Sequence, residues 1–258
     1  MPAEQARSRS YIACGASVAG TRHIRDQIPC EDAWARVILS DALIIAVADG
    51  LSSAEYGGKG AEIAVSSSVR IAADAYRAGD QDITSLITAA MGAGREHIDN
   101  HAISERLDIS SLATTLLMAV LTPDGVVCGH IGDGACVTLS EGEASLLSIP
   151  GPATYANETA VLTAQNWESQ LRISHGAADA IICATDGCQG ALIRREDGAY
   201  VPYGPFVVPL VRSLEQYVGE GRDLNTEIAD LLSSSRMRAL SSDDMTLAVG
   251  FQIPGEPF

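Results

Sequence analysis

The sequence predicts an α+β fold in which antiparallel sheets are layered with helices. Three observations carry that expectation. Apolar runs of strand length are joined by connections too short to hold a crossover helix, at Ser40-Asp41, "TPDG" (122–125) and Glu141-Gly142. Helical periodicity is confined to two stretches early in the chain and one region late in it. The strands therefore do not alternate with helices, as βαβ units would require.

Taken in order, "MPAEQARSRS" is polar and lacks an apolar core of signal-peptide type, so residues 1–10 are expected to form a flexible N-terminus. "YIACGASVAG" reads as a strand and "TRHIRDQIPCED" as a turn-like link. "AWARVIL" and "ALIIAVADG" form the first hairpin across Ser40-Asp41. A helix over 57–78 buries Ile63, Ala64, Ile71 and Ala75. Asp82 is the N-cap of a second helix, where Ile83, Leu86, Ile87, Ala90, Met91 and Ile98 follow amphipathic spacing. "LATTLLMAVL" turns through "TPDG" into "VVCGHIGDG", and "ACVTLSEGEASLLSI" is a further hairpin. Residues 150–168 read as a loop, and "LRISHGAADAIICATDG" as two strands joined by a small-residue turn. Helix returns over about 206–240, with Leu224, Ile228, Leu231 and Leu232 on one face, and "MTLAVGFQI" closes the chain as a strand. No linker divides the sequence, so 1–258 is expected to be one domain.

Composition excludes several functions. Apolar residues make up 47% and charged residues 19%, which is neither disordered nor fibrous. A net charge of −16 argues against nucleic acid or an anionic membrane as partner, since both are held by clustered Lys and Arg. The six cysteines form no C-x-x-C pair, and Cys14, Cys128, Cys136 and Cys183 sit inside apolar runs, so reduced thiols in a cytoplasm are expected.

The acids are placed unusually. Asp49 ends an apolar strand in "AVADG", and Asp186 does so in "ICATDG". Asp133 stands in "HIGDGA", Asp243 and Asp244 precede the last strand, and Glu31 and Asp32 open the second. Asp-Gly is ordinary turn chemistry, and Asp124-Gly125 and Asp197-Gly198 are read as plain turns. Five acidic sites at strand edges mean more, because carboxylates gathered at one rim repel each other until a divalent cation joins them. Hard oxygen ligands without paired His or Cys point to Mg²⁺ or Mn²⁺ and away from zinc. His97 and His101 are four apart but lack the Glu of a zinc-protease helix, so both are taken as surface residues. "GGKG" (57–60) does not complete a phosphate-loop motif, His130 is read as a core or near-site histidine, and Arg194-Arg195 as part of a solvated loop.

The order ED, ADG, GDG, TDG and DDMT resembles the metal-dependent protein phosphatases of the 2C type, especially compact bacterial members, from about Gly15 to Gly250. The resemblance implies a four-layer α-β-β-α sandwich with two or three Mn²⁺ or Mg²⁺ ions at one end. It implies that Asp49 bridges two metals, that the Gly50 carbonyl binds one, and that Asp186 and Asp243 ligate the other. Glu31 and Asp32 would hold metal-bound waters, and Asp133 would serve a third ion. The implied reaction is attack of a metal-activated water on a phosphomonoester of Ser or Thr in a protein, with a partner kinase supplying that substrate. "SLATTL" (111–116) corresponds to a strand that packs beside the site. The family's phosphate-gripping Arg falls at Gln27, so Arg25 is the expected replacement, with Arg22 and His23 nearby. The bridging motif is "ADGLSS", without the glycines usual there, and either Asp243 or Asp244 fills the last ligand position. The alternative is a catalytically idle relative that binds phosphoproteins.

Overall fold

A computed structural model of the chain describes residues 9–151 and 159–254. Its strands are β1 (Arg9–Val18), β2 (Asp32–Ile38), β3 (Leu43–Asp49), β4 (Leu116–Thr122), β5 (Gly125–Ile131) and β6 (Ala135–Ser140). They continue as β7 (Glu143–Ser148), β8 (Arg172–Gly176), β9 (Ala180–Ala184), β10 (Ile193–Glu196), β11 (Ala199–Pro202) and β12 (Met245–Pro254). The helices are α1 (Thr21–Asp26), α2 (Gly57–Arg77), α3 (Ile83–Glu105), α4 (Trp167–Gln170), α5 (Gln189–Leu192), α6 (Gly204–Gly219), α7 (Leu224–Ser233) and α8 (Ser235–Arg238).

Two five-stranded sheets, ordered β1-β12-β9-β6-β7 and β2-β3-β4-β5-β8, lie face to face, and β10-β11 form a separate ribbon. Every strand pairing among the described residues is antiparallel. β3 shows how the layers are encoded. Leu43 to Ala48 are all buried, so the strand does not alternate apolar with polar. Side chains of a strand point to opposite faces in turn. Leu43, Ile45 and Val47 enter the core between the sheets, while Ile44, Ala46 and Ala48 meet α2 and α3. A third core joins the other sheet to α5–α8 through Val207, Val211, Leu214, Ile228 and Leu232. The architecture is the expected α-β-β-α sandwich.

On α2 the buried face is Ala61, Ala64, Val65, Val69, Ala72 and Ala73, so Ala64 is buried as expected while Ile63, Ile71 and Ala75 are only half-buried against the core. Helix α3 matches its signals. Asp82 accepts a hydrogen bond from the Ser85 N–H at 3.2 Å, and Leu86, Ile87, Ala90, Met91 and Ile98 are buried. At Glu141-Gly142 both residues have positive φ, 52° and 83°, as a tight two-residue hairpin requires.

Four readings are corrected. Residues 21–26 form the short helix α1, closed by Gln27 in the left-handed conformation at φ 58°. The run "LATTLLMAVL" enters the sheet only at Leu116, because Ile109–Leu112 is a 3-10 turn capped by Asp108. Arg194 and Arg195 lie on the ribbon strand β10, not in a loop. In the expected loop 150–168, Trp167–Gln170 is α4, and residues 152–158 are outside the described residues, as are residues 1–8 of the expected flexible N-terminus.

The buried sheet-sheet seam sets stability. Ile45→Ala should cost about 2–5 kcal/mol in urea unfolding, the range for a large-to-small change in a closed core. A cost below about 1 kcal/mol would show that the sheets are not packed at this strand.

Candidate metal centre

The acids meet at one rim of the sandwich. β3 carries Asp49 to the edge, and the strand end is held from several sides. The Asp49 N–H donates to Thr115 Oγ1 at 2.9 Å, while the Thr114 hydroxyl and the Thr115 N–H both donate to the Asp49 carbonyl at 2.9 Å. The small residues of "SLATTL" thus fasten the backbone that bears the acid. The Gly50 N–H donates to the Glu31 carbonyl at 3.1 Å, and a Cβ at residue 50 would overlap the backbone of Gly57. Glycine is required there because α2 begins against it.

Asp186 leaves β9 in a 3-10 turn, Asp186–Cys188. Asp133 stands in the turn between β5 and β6, where Gly132 has φ +125°. The Asp133 turn is clamped: Gln189 Nε2 donates to the Asp133 carbonyl, Arg172 Nη2 to the Gly132 carbonyl at 2.9 Å, and Thr159 Oγ1 to Asp133 Oδ2 at 3.0 Å. Asp49, Asp133 and Asp186 then each offer a carboxylate oxygen, all within 4.8 Å of one another. They line a pocket of ≈160 Å³ together with His23, Glu31, Gly50, Leu51, Ser52, Thr159, Asp243 and Asp244. Asp186 Oδ1 is buried with no hydrogen-bond partner among the described residues.

Asp243 and Asp244 divide the work. The Asp244 carboxylate is buried and accepts from Gly20 N–H at 2.7 Å, Glu31 N–H at 2.6 Å and His23 Nδ1 at 2.9 Å. It ties α1 and the entrance of β2 to the last strand. Asp243 is half-exposed and faces the pocket, with Arg22 Nη2 at 3.6 Å. Arg25 is elsewhere. It is 73% exposed and bidentate to Asp26 at 2.7 and 2.8 Å. Glu31 lines the pocket, and Asp32 lies beneath it, buried and accepting from Thr185 Oγ1 at 2.6 Å. His130 is buried and bonded to Ser148, while His97 is exposed and bonded to its own helix at the Ala93 carbonyl.

Like charge and burial shape the electrostatics. Burial first, and then the neighbouring aspartates, push Asp49 up to about 10 and Asp186 up to about 6. Asp32, paired across the strands with Asp49, rises to about 8, chiefly by burial and against the hydrogen bonds from Thr185 and Thr246. Burial also raises Glu31, opposed by His23. Such a set holds protons or a cation. Three hard oxygens, one of them orphaned, at mutual distances a single ion spans fit a divalent cation such as Mn²⁺ or Mg²⁺.

The sequence names Arg22 and His23 as alternatives for the phosphate grip and Asp244 as an alternative ligand, whereas Thr159 is not singled out. The extra Asp after Asp243 was the only local signal for Asp244.

Residues 19–233 match the family model described as Protein phosphatase 2C. The chain is 31% identical over 243 residues to Serine/threonine-protein phosphatase 3 of Escherichia coli (strain K12), covering 91% of this chain and 95% of that one. In three dimensions it is similar to the serine/threonine phosphatase of S. agalactiae, with TM-score 0.63, 13% identity, and 93% and 99% of the two chains covered. It is also similar to the catalytic domain of the serine/threonine phosphatase PstP solved with two manganese ions, with TM-score 0.58, 15% identity, and 95% and 99% covered.

The raised carboxylates fix a sign for pH dependence. In the folded chain Asp186, Asp32 and Asp49 keep their protons above the ordinary carboxylate value near 4, so folding is favoured at low pH relative to high. With chelator present, the melting temperature should fall as pH rises from about 5 toward 9, and Mn²⁺ should raise it more at pH 8 than at pH 5.5. A melting temperature that climbs over that range without metal would contradict the burial of these acids.

Proposed function

The chain belongs to the protein phosphatase 2C family and is a metal-dependent serine/threonine protein phosphatase, and we propose that the acidic pocket is its metal centre. The observation that carries this assignment is the convergence of Asp49, Asp133 and Asp186, from three separate strand ends, within 4.8 Å. Two or three Mn²⁺ or Mg²⁺ ions would be held by Asp49, Asp133, Asp186 and Asp243, with Glu31 and the Gly50 carbonyl beside them. Asp32 supports them from below. Such ions lower the pKa of water they hold, making it a nucleophile, and offset charge on phosphoryl oxygens.

The chain's own groups do the positioning. Thr114 and Thr115 keep the end of β3 from moving, Gln189 and Arg172 hold the Asp133 turn, and Asp244 docks α1 against the pocket. Ser52 and Thr159 are the hydroxyl side chains of the lining, and the lining includes no Cys. Arg22, whose Nη2 stands 3.6 Å from the pocket acid Asp243 and whose N–H donates to the Ser242 carbonyl, supports the reading of a guanidinium near the pocket. Arg22, not the Asp26-bound Arg25, is the guanidinium we assign to the substrate phosphate, a bidentate role suited to Arg.

The substrate reading is phosphoserine and phosphothreonine in proteins, following the E. coli relative named as a serine/threonine-protein phosphatase. Such a substrate must be made by a kinase, which we take as the opposing partner. No helix among the described residues is long and apolar enough to cross a membrane. The six free cysteines accord with a reducing cytoplasm.

Purified protein should hydrolyse an aryl phosphate with Mn²⁺ and stop with chelator. Asp49→Asn should lose at least about a hundredfold in kcat, near 2.7 kcal/mol of barrier. The same variant should melt higher than wild type in chelator at about pH 8, because Asn is neutral without the cost of keeping a proton on a carboxyl far above its ordinary range. Full activity in Asp49→Asn would remove the pocket from the reaction. Arg22→Ala should raise KM for a phosphopeptide more than Arg25→Ala does, and the reverse order would return the grip to Arg25.

A further inference from the structure

A groove of ≈450 Å³ lies between α6 and α7 and shares no lining residue with the acidic pocket. Its α6 wall is Phe206, Leu210 and Tyr217, four and seven residues apart along one helix face, with the buried Leu214 beneath them. That face runs roughly 16 Å at 1.5 Å per residue, a length matching three turns of a docked helix. Leu231 of α7 forms the facing wall above the buried Ile228, and Leu240, 48% exposed, closes one end.

Charge narrows the occupant. Over residues 189–240 six arginines stand against seven carboxylates, whereas the rest of the chain carries 11 basic residues against 26 acidic ones. Arg194 and Arg236 line the groove, are exposed, and form no ion pair among the described residues. Arg194 is nonetheless ordered, with its guanidinium 3.5 Å from the Tyr203 ring centre, a contact that fixes its position without neutralising it. Of the two groove acids, Glu227 is already engaged by Arg222 at 2.5 Å, which leaves Asp230. An apolar trough edged by two unpaired arginines, on an otherwise strongly acidic molecule, complements an apolar segment that carries its own carboxylates.

We propose that this groove docks an amphipathic helical segment of a partner protein, with apolar anchors spaced i, i+3 or i+4, and i+7, and Asp or Glu beside them for Arg194 and Arg236. This is the helix-in-groove mode of recognition. The elongated wall favours a helix over a compact small molecule. The inference stands on the groove alone and not on the metal assignment.

The test is selection on the intact chain from a displayed library of random peptides about fourteen residues long, roughly four helical turns. The enriched set should be amphipathic and acidic. Its affinity should fall at least about tenfold in Arg194→Glu and Arg236→Glu, both exposed positions, and in Leu240→Asp. Mn²⁺-dependent aryl phosphate hydrolysis should be unchanged in all three variants, which separates this proposal from the assignment of the pocket. Enrichment of basic peptides, no enrichment, or binding indifferent to the three substitutions would overturn it. So would concentration-dependent dimerisation of the chain that Arg236→Glu abolishes, since a second copy would then be the occupant.

Discussion

Repulsion between buried carboxylates is the constraint on which the rest of the site depends. Asp49, Asp133 and Asp186 come from three strand ends, and as ionised groups they would push one another apart until protons or a cation joined them. They stay close because their backbones are pinned. Thr114 and Thr115 grip the end of β3, Gln189 and Arg172 grip the turn around Asp133, and β9 is held between β12 and β6. The clamps from Thr114, Thr115, Gln189 and Arg172 engage main-chain groups, as acceptor at the Asp49 N–H and as donors at the carbonyls. The carboxylate oxygens are thereby left for the pocket.

The layers supply the stiffness behind those clamps. β3 is covered on one face by helices and on the other by the second sheet, so its end cannot yield without disturbing two cores. Close-packed interiors do not deform continuously. Asp244 shows the same logic at the rim. It spends its carboxylate on Gly20, Glu31 and His23, and so fixes the wall on which Glu31 and Arg22 stand, while its neighbour Asp243 remains turned to the pocket.

Much of this was legible locally. An apolar run that ends in Asp-Gly is a signal contained in a few residues, and Asp49, Asp133 and Asp186 were found that way. The hairpins and the long helices were legible because their signals span many residues of one period. α1 was missed because six residues carry too little periodicity to separate a helix from a turn. The role of Asp244 was out of reach, since its donors lie 213, 221 and 224 residues away in the chain. Arg25 and Arg22 are close in sequence, and only the direction in which a one-turn helix projects them distinguishes the two. β8 and β9 were legible as two strands joined by a short link, yet chain proximity does not say which sheet a strand joins, and they belong to different ones.

The account therefore makes the metal-free pocket a protonated one. Calorimetric titration of the intact chain with Mn²⁺ at pH 7.5, repeated in buffers of different ionisation enthalpy, tests this most directly. Binding of at least two ions per chain with net release of protons is the predicted result, because protons on the buried aspartates must leave as cations enter. Absence of binding, or binding without any proton release, would contradict it.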